Sequence, residues 1–430
     1  MNDLWPDADY AFPAAGLDCF LLWAADLGAS DIAFQSGSPA FIEVDGVLRR
    51  ATGARLDGVV MNRLCARIFD GIPSDASTPS GGSTPSGGST PSAGSTADGI
   101  LRSGKPIDCS YAVASGPREF RRFRCNLSPV LAQQRFGINV AMRVLPDSPP
   151  TFEELGIEPE IVEAWDQCRG LTLVTGVPGS GKSTLLAAGT RRLLESGAGR
   201  IQSYEAPIEF VFDGIAGDGS LMSSSEVPRH FPSFAEGLRA SLRRRPAAVI
   251  VGEARDRETV EAVIRAADFG IAVFATAHTV GVAAAIRRLL AEFPAEERHE
   301  RGVALVDVMT LVVTQVLLPN PAGGHTPAGR RTAIREWLAF DGALKARLME
   351  APQERWPGLI GEAVRRTGND LATAAGRAFD EGRITRDGLH RVAGSSPVPG
   401  SSPVPGQGHG PVMPPKKADG GAGETRSDRI

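Results

Sequence analysis

Cysteine is sparse in this chain. Five are spread over 430 residues, at Cys19, Cys65, Cys109, Cys125 and Cys168, and no two form a C-x-x-C pair. That argues against a zinc ribbon. Scattered single cysteines predict a reducing compartment and ordinary packing roles. An excess of one charge is missing too. The formal net charge is −4, so no overall basic field marks the chain for nucleic acid or an anionic membrane. No Lys or Arg precedes Arg49, and Asp3, Asp7 and Asp9 stand where a secretory signal needs positive charge. The longest apolar run, "VALVDVMTLVVTQVLLP" from Val303 to Pro319, is shorter than a membrane span and carries Asp307, Thr310, Thr314 and Gln315. It predicts buried helix plus strand. The expectation is a cytoplasmic protein with at most peripheral contact to a membrane.

The chain divides by composition. After an N-terminal extension, residues 1–16, residues 17–145 show a helix pattern at "LDCFLLWAADLG" and strand patterns at "FIEVDGVLRR" and "REFRRFRCNL", predicting a small α/β domain. Inside it, residues 76–97 carry no charge and repeat "STPSGG", the composition of a flexible surface insertion. Prolines at 146–152 predict a linker. From 153 to 342, the short apolar runs "LTLVT", "IQSYE", "AAVIV" and "IAVFAT" alternate with helix patterns, which predicts a mostly parallel sheet flanked by helices. Residues 343–393 read as a helical region, and 394–430, with "GSSPVPG" twice, as a disordered tail.

The chemistry begins at "GVPGSGKST". Gly176 to Ser183 fits G-x-x-x-x-G-K-[ST], following an apolar strand and opening a helix. Gly176, Pro178, Gly179, Ser180 and Gly181 form a loop whose N–H groups can face phosphate oxygens. Lys182 can reach the terminal phosphates, and the Ser183 hydroxyl can coordinate Mg²⁺. Thr184 follows in the first helical turn, where the helix N-terminus favours negative charge. The predicted ligand is a nucleoside triphosphate. In "AAVIVGEARDRET", Glu253 emerges at the carboxyl end of a buried strand, where ligands sit in such sheets. It can orient or deprotonate water and help hold Mg²⁺; the plainer reading is a surface Glu paired with Arg255 or Arg257. In "IQSYEAPIEF", Glu205 and Glu209 flank Pro207, which suits a metal or water site as well as simple solvation. His278 ends the strand "FATAHT", where it can sense the terminal phosphate or serve packing alone.

"GVPGSGKST", "YEAPIEF", "VGEARDRET" and "ATAHT" occur in the order and spacing of the Walker A, acidic-box, Walker B and histidine-box motifs of the secretion and type IV pilus ATPases, the type II/IV secretion family. Together with "GASDIAFQSG", "VDGVLRR", "FRRFRCN" and "MRVLPDSPPTFEELGI", they make residues 17–342 resemble that family, and most of all its DotB and TraJ branch of Dot/Icm-type secretion and plasmid conjugation. The resemblance implies a PAS-like N-terminal domain, a RecA-like ATPase domain, ATP with Mg²⁺ between them, and a homohexameric ring. The ring would work on inner-membrane components of a secretion, conjugation or pilus machine, at the cytoplasmic face of the inner membrane. It also implies that Arg122, Arg124 and Arg143 reach the phosphates. The chain departs from the family pattern at Ala206, at Ala247 and Ala248 after Pro246, and at Ile271; no clear C-terminal signature of a retraction motor follows "IREWL".

The expected function is therefore a hexameric ATPase that powers type IV secretion or conjugative transfer, with a pilus retraction or assembly motor as the alternative. Arg239, Arg243, Arg244 and Arg245 in "LRASLRRRP" raise direct handling of DNA. They lack the aromatic interleaving that stacks bases, so direct nucleic-acid binding is not expected. A scaffold that binds ATP without hydrolysing it has no need of Glu253.

Overall fold

A computed structural model describes residues 5, 16–44, 47–70, 97–116, 119–146, 148–215, 217–321 and 331–393. The insertion 76–97, apart from Ala97, and the tail 394–430 lie outside the described residues, as does nearly all of the extension 1–16. Contacts gather the described residues into one compact unit.

Helix α1 (Gly16–Asp26) leads into β1 (Ala29–Gln35), β2 (Phe41–Val44) and β3 (Val47–Arg50). Helices α2 (Gly58–Asp70) and α3 (Ala97–Arg102) precede β4 (Ile107–Gly116), β5 (Glu119–Ala132) and β6 (Arg135–Val144). The six strands form one antiparallel sheet in the order β3-β2-β1-β6-β5-β4. β4 buries alternate residues, Ile107, Cys109, Tyr111 and Val113, because successive side chains of a strand face opposite ways. The buried set packs on Leu17, Phe20 and Leu21 of α1 and Met61, Leu64 and Cys65 of α2.

A short helix, α4 (Pro159–Asp166), opens the second part of the chain. It alternates strands and helices: β7 (Leu171–Thr175), α5 (Lys182–Glu195), β8 (Arg200–Glu205), β9 (Leu221–Glu226), α6 (Phe234–Ser241), β10 (Ala248–Val251), α7 (Arg257–Asp268), β11 (Ala272–Ala277), α8 (Val282–Ala291), α9 (Arg298–Val308), β12 (Met309–Pro319) and β13 (Arg331–Ala339). The sheet order is β13-β12-β7-β11-β10-β8-β9, parallel except for β13. β7, β10 and β11 are buried along their whole length, as strands covered on both faces must be. The run Val303 to Pro319 is the end of α9 followed by β12.

Two apolar layers sandwich this sheet. One, beneath α4 and α5, stacks Trp165 on Phe274 with ring centroids 4.6 Å apart. The other lies under α6 to α9 and takes in α10 (Gly342–Glu350) and α11 (Trp356–Thr367) through Leu348, Trp356 and Ile360. Helices α12 (Leu371–Asp380) and α13 (Arg386–Ala393) cover Leu318 and Ile334 of β12 and β13. Among the described residues no helix is long and apolar enough to cross a membrane.

Candidate active site

Parallel strands β7, β8, β10 and β11 deliver their carboxyl ends to one edge of the sheet. A cleft of about 1390 Å³ opens there, lined from above by Arg124 and Arg143 of the N-terminal sheet. The loop between β7 and α5 is held in its curl by two glycines. Gly176 has φ +147°, and a Cβ there would stand 2.4 Å from the Gln315 carbonyl oxygen. Gly181, at φ +83°, caps α5 in the left-handed region that other residues rarely adopt. Gly179, Pro178, Gly181, Lys182, Ser183 and Thr184 line the cleft; Ser180 is buried beneath it.

Lys182 is 7% exposed, and its Nζ donates to the Gly176 and Val177 carbonyls at 3.0 and 3.1 Å. Burial lowers its pKa, opposed by Glu253 and Glu209. Its third contact is Nδ1 of His278, at 3.2 Å. An ammonium only donates, so Nδ1 accepts and the ring hydrogen sits on Nε2. That nitrogen lies 3.3 Å from Oε1 of Glu253. Lys182, His278 and Glu253 thus form one chain of polar contacts. Glu253 also lies 3.7 Å from Arg255, whereas Arg257 pairs with Glu297 instead. The backbone pins the acid in place: the Gly252 N–H donates to the Tyr204 carbonyl and the Ala254 N–H to the Thr276 carbonyl. The Asp256 side chain then caps α7, accepting from the Thr259 N–H at 2.9 Å.

Glu205 ends β8 and accepts from the Ser203 hydroxyl at 2.7 Å. Burial pushes its carboxyl up to about 7; Glu209 adds to the rise, and the Ser203 hydroxyl and Arg122 oppose it. Glu209 accepts from Arg124 at 2.9 Å. Both acids line the cleft, at the acidic turn around Pro207.

The three predicted arginines part company. Arg124 and Arg143 line the cleft, with Arg143 also held by Asp31 at 3.0 Å. Arg122 lies to one side. It donates to the Ile208 carbonyl at 2.9 Å, while its Nη1 is buried without a hydrogen-bond partner. Burial lowers its pKa, with Glu205, Glu226 and Asp213 acting against the shift.

Sequence reasoning missed Glu226. It is 3% exposed and accepts from Ser110 of the N-terminal sheet at 2.7 Å and from the Ile208 N–H at 3.3 Å. "LMSSSE" carries no apolar alternation, so nothing in it announces a strand. It missed Arg335 as well, which reads as a solvated residue and is 4% exposed.

Residues 105–350 match the model of the family described as type II/IV secretion system protein. The type IV pilus retraction ATPase PilT of Pseudomonas aeruginosa is 33% identical over 308 residues, 72% of this chain and 79% of PilT. The crystal structure of the Legionella pneumophila ATPase DotB superposes with a TM-score of 0.78 at 34% identity, covering 90% of this chain and 98% of DotB. The pilus retraction motor PilT with bound ADP superposes with a TM-score of 0.69 at 26% identity, covering 89% and 97%. The fold is that of these ATPases: a PAS-like N-terminal α/β domain followed by a RecA-like P-loop domain. The chain belongs to the type II/IV secretion system protein family.

Proposed function

We propose that this family member is a motor subunit that hydrolyses ATP to power a type IV secretion or conjugative transfer apparatus. The chain is an ATP hydrolase. It works as a homohexamer at the cytoplasmic face of the inner membrane, on membrane components of the machine. The observation that carries the reading is the Lys182–His278–Glu253 chain in a cleft that arginines of the N-terminal sheet also line. Loop N–H groups and Lys182 take the phosphates, and Lys182 gives up its carbonyl contacts to do so. Glu253 orients the attacking water, held by His278. Arg124 and Arg143 approach the phosphates from the other side and offset charge that develops there.

The donors present fit a magnesium ion. The Ser183 hydroxyl and the Glu253 carboxylate are hard oxygen ligands on the cleft wall. Among the described residues no group of three or more His, Cys, Asp or Glu is arranged to hold a metal, which agrees with an ion held partly by the nucleotide. Bound there, the ion would neutralise phosphate charge.

In this reading residues 17–145 form the N-terminal domain, 146–152 the linker and 153–342 the ATPase domain, with the helices of 343–393 seated on it. Similarity to DotB over nearly its whole length favours secretion or conjugation; the match to PilT keeps pilus retraction or assembly as the second reading. Deleting the gene in its host, then scoring transfer and surface motility separately, distinguishes the two. The direct test of the motor is Mg²⁺-dependent ATPase activity of wild type and Glu253→Gln, with light scattering on both. The expected result is a hexamer whose variant binds ATP but turns it over about 10²- to 10⁴-fold more slowly. If neither assembled protein hydrolyses ATP, the scaffold reading replaces it.

A further inference from the structure

β13 carries an arginine that is almost completely buried. Arg335 lies between Ile334 and Glu336, and its guanidinium is sealed from solvent, with its side chain 3% exposed. A buried guanidinium has five N–H donors to place, and four hydrogen bonds hold this one. Nε donates to Gln315 Oε1 at 2.8 Å. Nη1 donates to the Gly156 carbonyl and to Glu158 Oε2, both at 3.1 Å. Nη2 donates to the Leu155 carbonyl at 3.1 Å. Three of the four belong to the segment that joins the linker to α4, and the fourth leads to the phosphate loop.

Gln315 is itself 4% exposed, and its Nε2 donates to the Ser180 carbonyl at 2.6 Å. It occupies the space that two glycines of the loop leave open. A Cβ on Gly181 would stand 2.7 Å from its Nε2, and one on Gly176 would stand 2.4 Å from its backbone carbonyl oxygen. A primary amide has one accepting end and one donating end. Because Arg335 only donates, it turns the Gln315 oxygen toward itself and leaves the NH₂ facing Ser180. Arg335 thereby sets which way the amide under the phosphate loop points.

We propose that Arg335 is a positioning residue for nucleotide binding: through Gln315 it holds the phosphate loop in its cradle shape and ties that shape to the segment following the linker. Neither side chain needs to touch the nucleotide. The inference rests on the nucleotide-binding reading of the cleft. It adds a defined mechanical link between the linker, which must move when the domains move, and the loop that grips phosphate.

Gln315→Glu separates the two halves of the relay. A carboxylate keeps the pair with Arg335, but it has no hydrogen to give the Ser180 carbonyl. Direct binding of ADP, measured by calorimetry on the full-length assembled protein, needs no hydrolysis. Gln315→Glu is expected to weaken ADP about ten-fold or more, with the melting temperature lowered by only a few degrees by the unsatisfied Ser180 carbonyl. Arg335→Lys, which keeps the charge but cannot fill four acceptors, is expected to weaken ADP to a similar degree. The double variant Gln315→Glu with Arg335→Lys is expected to bind no worse than the poorer single variant, because both changes break one path. If wild type binds no ADP, the nucleotide reading itself fails. If wild type binds and Gln315→Glu binds equally well, or if the two losses simply add, the relay is overturned.

Discussion

Arg124 of β5 and Glu209 of the acidic turn meet at 2.9 Å, one from the N-terminal sheet and one from the segment that follows β8. The pair lies beside two further links across the same seam, Arg122 to the Ile208 carbonyl and Ser110 to Glu226. It is the member of the three that also lines the cleft through both partners. In the proposed function, a guanidinium held by a carboxylate at the mouth of the cleft has two partners to choose between. ATP, with more charge, is the stronger competitor.

Arg124→Ala tests that competition. The side chains are partly exposed, 44% and 25%, so the pair contributes less than about 1 kcal/mol to stability. The melting temperature is expected to fall by about 4 °C or less, while ATP turnover falls about ten-fold or more. A large loss of melting temperature with turnover unchanged per folded molecule would make the pair structural.

Glu205 predicts a pH dependence. Burial raises its folded carboxyl to about 7, against an ordinary value of 4.5. Between those values the folded protein holds a proton that the unfolded chain has released, so stability falls as pH rises through this window. The loss is complete above the folded value and amounts to at most about 3 kcal/mol. Urea denaturation at about pH 5 and about pH 8 should show the slope, and Glu205→Gln should flatten it. An identical slope in the variant would assign it to other groups.

Much of this site was legible because its strands are short apolar runs that end in chemistry. "LTLVT" and "AVIV" are covered on both faces, so every position is buried, all but Thr172 and Thr175 are apolar, and each end is marked by the first glycine or acid. What stayed hidden depends on contacts between distant segments. Glu226 ends a strand of serines at the sheet edge, where no burial pattern is imposed on the rest of β9. Arg335 is held in the interior by two carbonyls and a carboxylate 177 to 180 residues earlier in the chain. Arg122 and Arg124 share a strand face by spacing, yet one reaches a backbone carbonyl and the other the cleft. Alternation predicts a face, not the partner found on it.

Gly189 reports on the packing behind the phosphate loop. It lies in α5, and a Cβ there would stand 2.0 Å from Cζ2 of Trp165, whose ring is stacked on Phe274 and fully buried. In an open helix, glycine to alanine is favourable by about 1 kcal/mol. Here overpacking wins, because neither ring has room to move. Gly189→Ala is expected to cost about 1–3 kcal/mol net, read by chemical denaturation. Increased stability would mean that the Trp165 ring can shift.

His278 connects Lys182 to Glu253, and in the proposed function removing it should separate binding from turnover. Lys182 keeps its contacts to the Gly176 and Val177 carbonyls without it, and the loop glycines are untouched. His278→Ala is therefore expected to leave ADP affinity within about three-fold. Glu253, however, loses the neighbour that fixes Oε1 at 3.3 Å and keeps only the longer contact to Arg255. A water held by a loosened carboxylate attacks from a poorer geometry, and turnover is expected to fall about ten- to hundred-fold. Calorimetry and steady-state kinetics on the same preparation separate these effects. Equal losses in affinity and turnover would mean that His278 holds Lys182 rather than Glu253. Unchanged turnover would leave the histidine no part in the reaction.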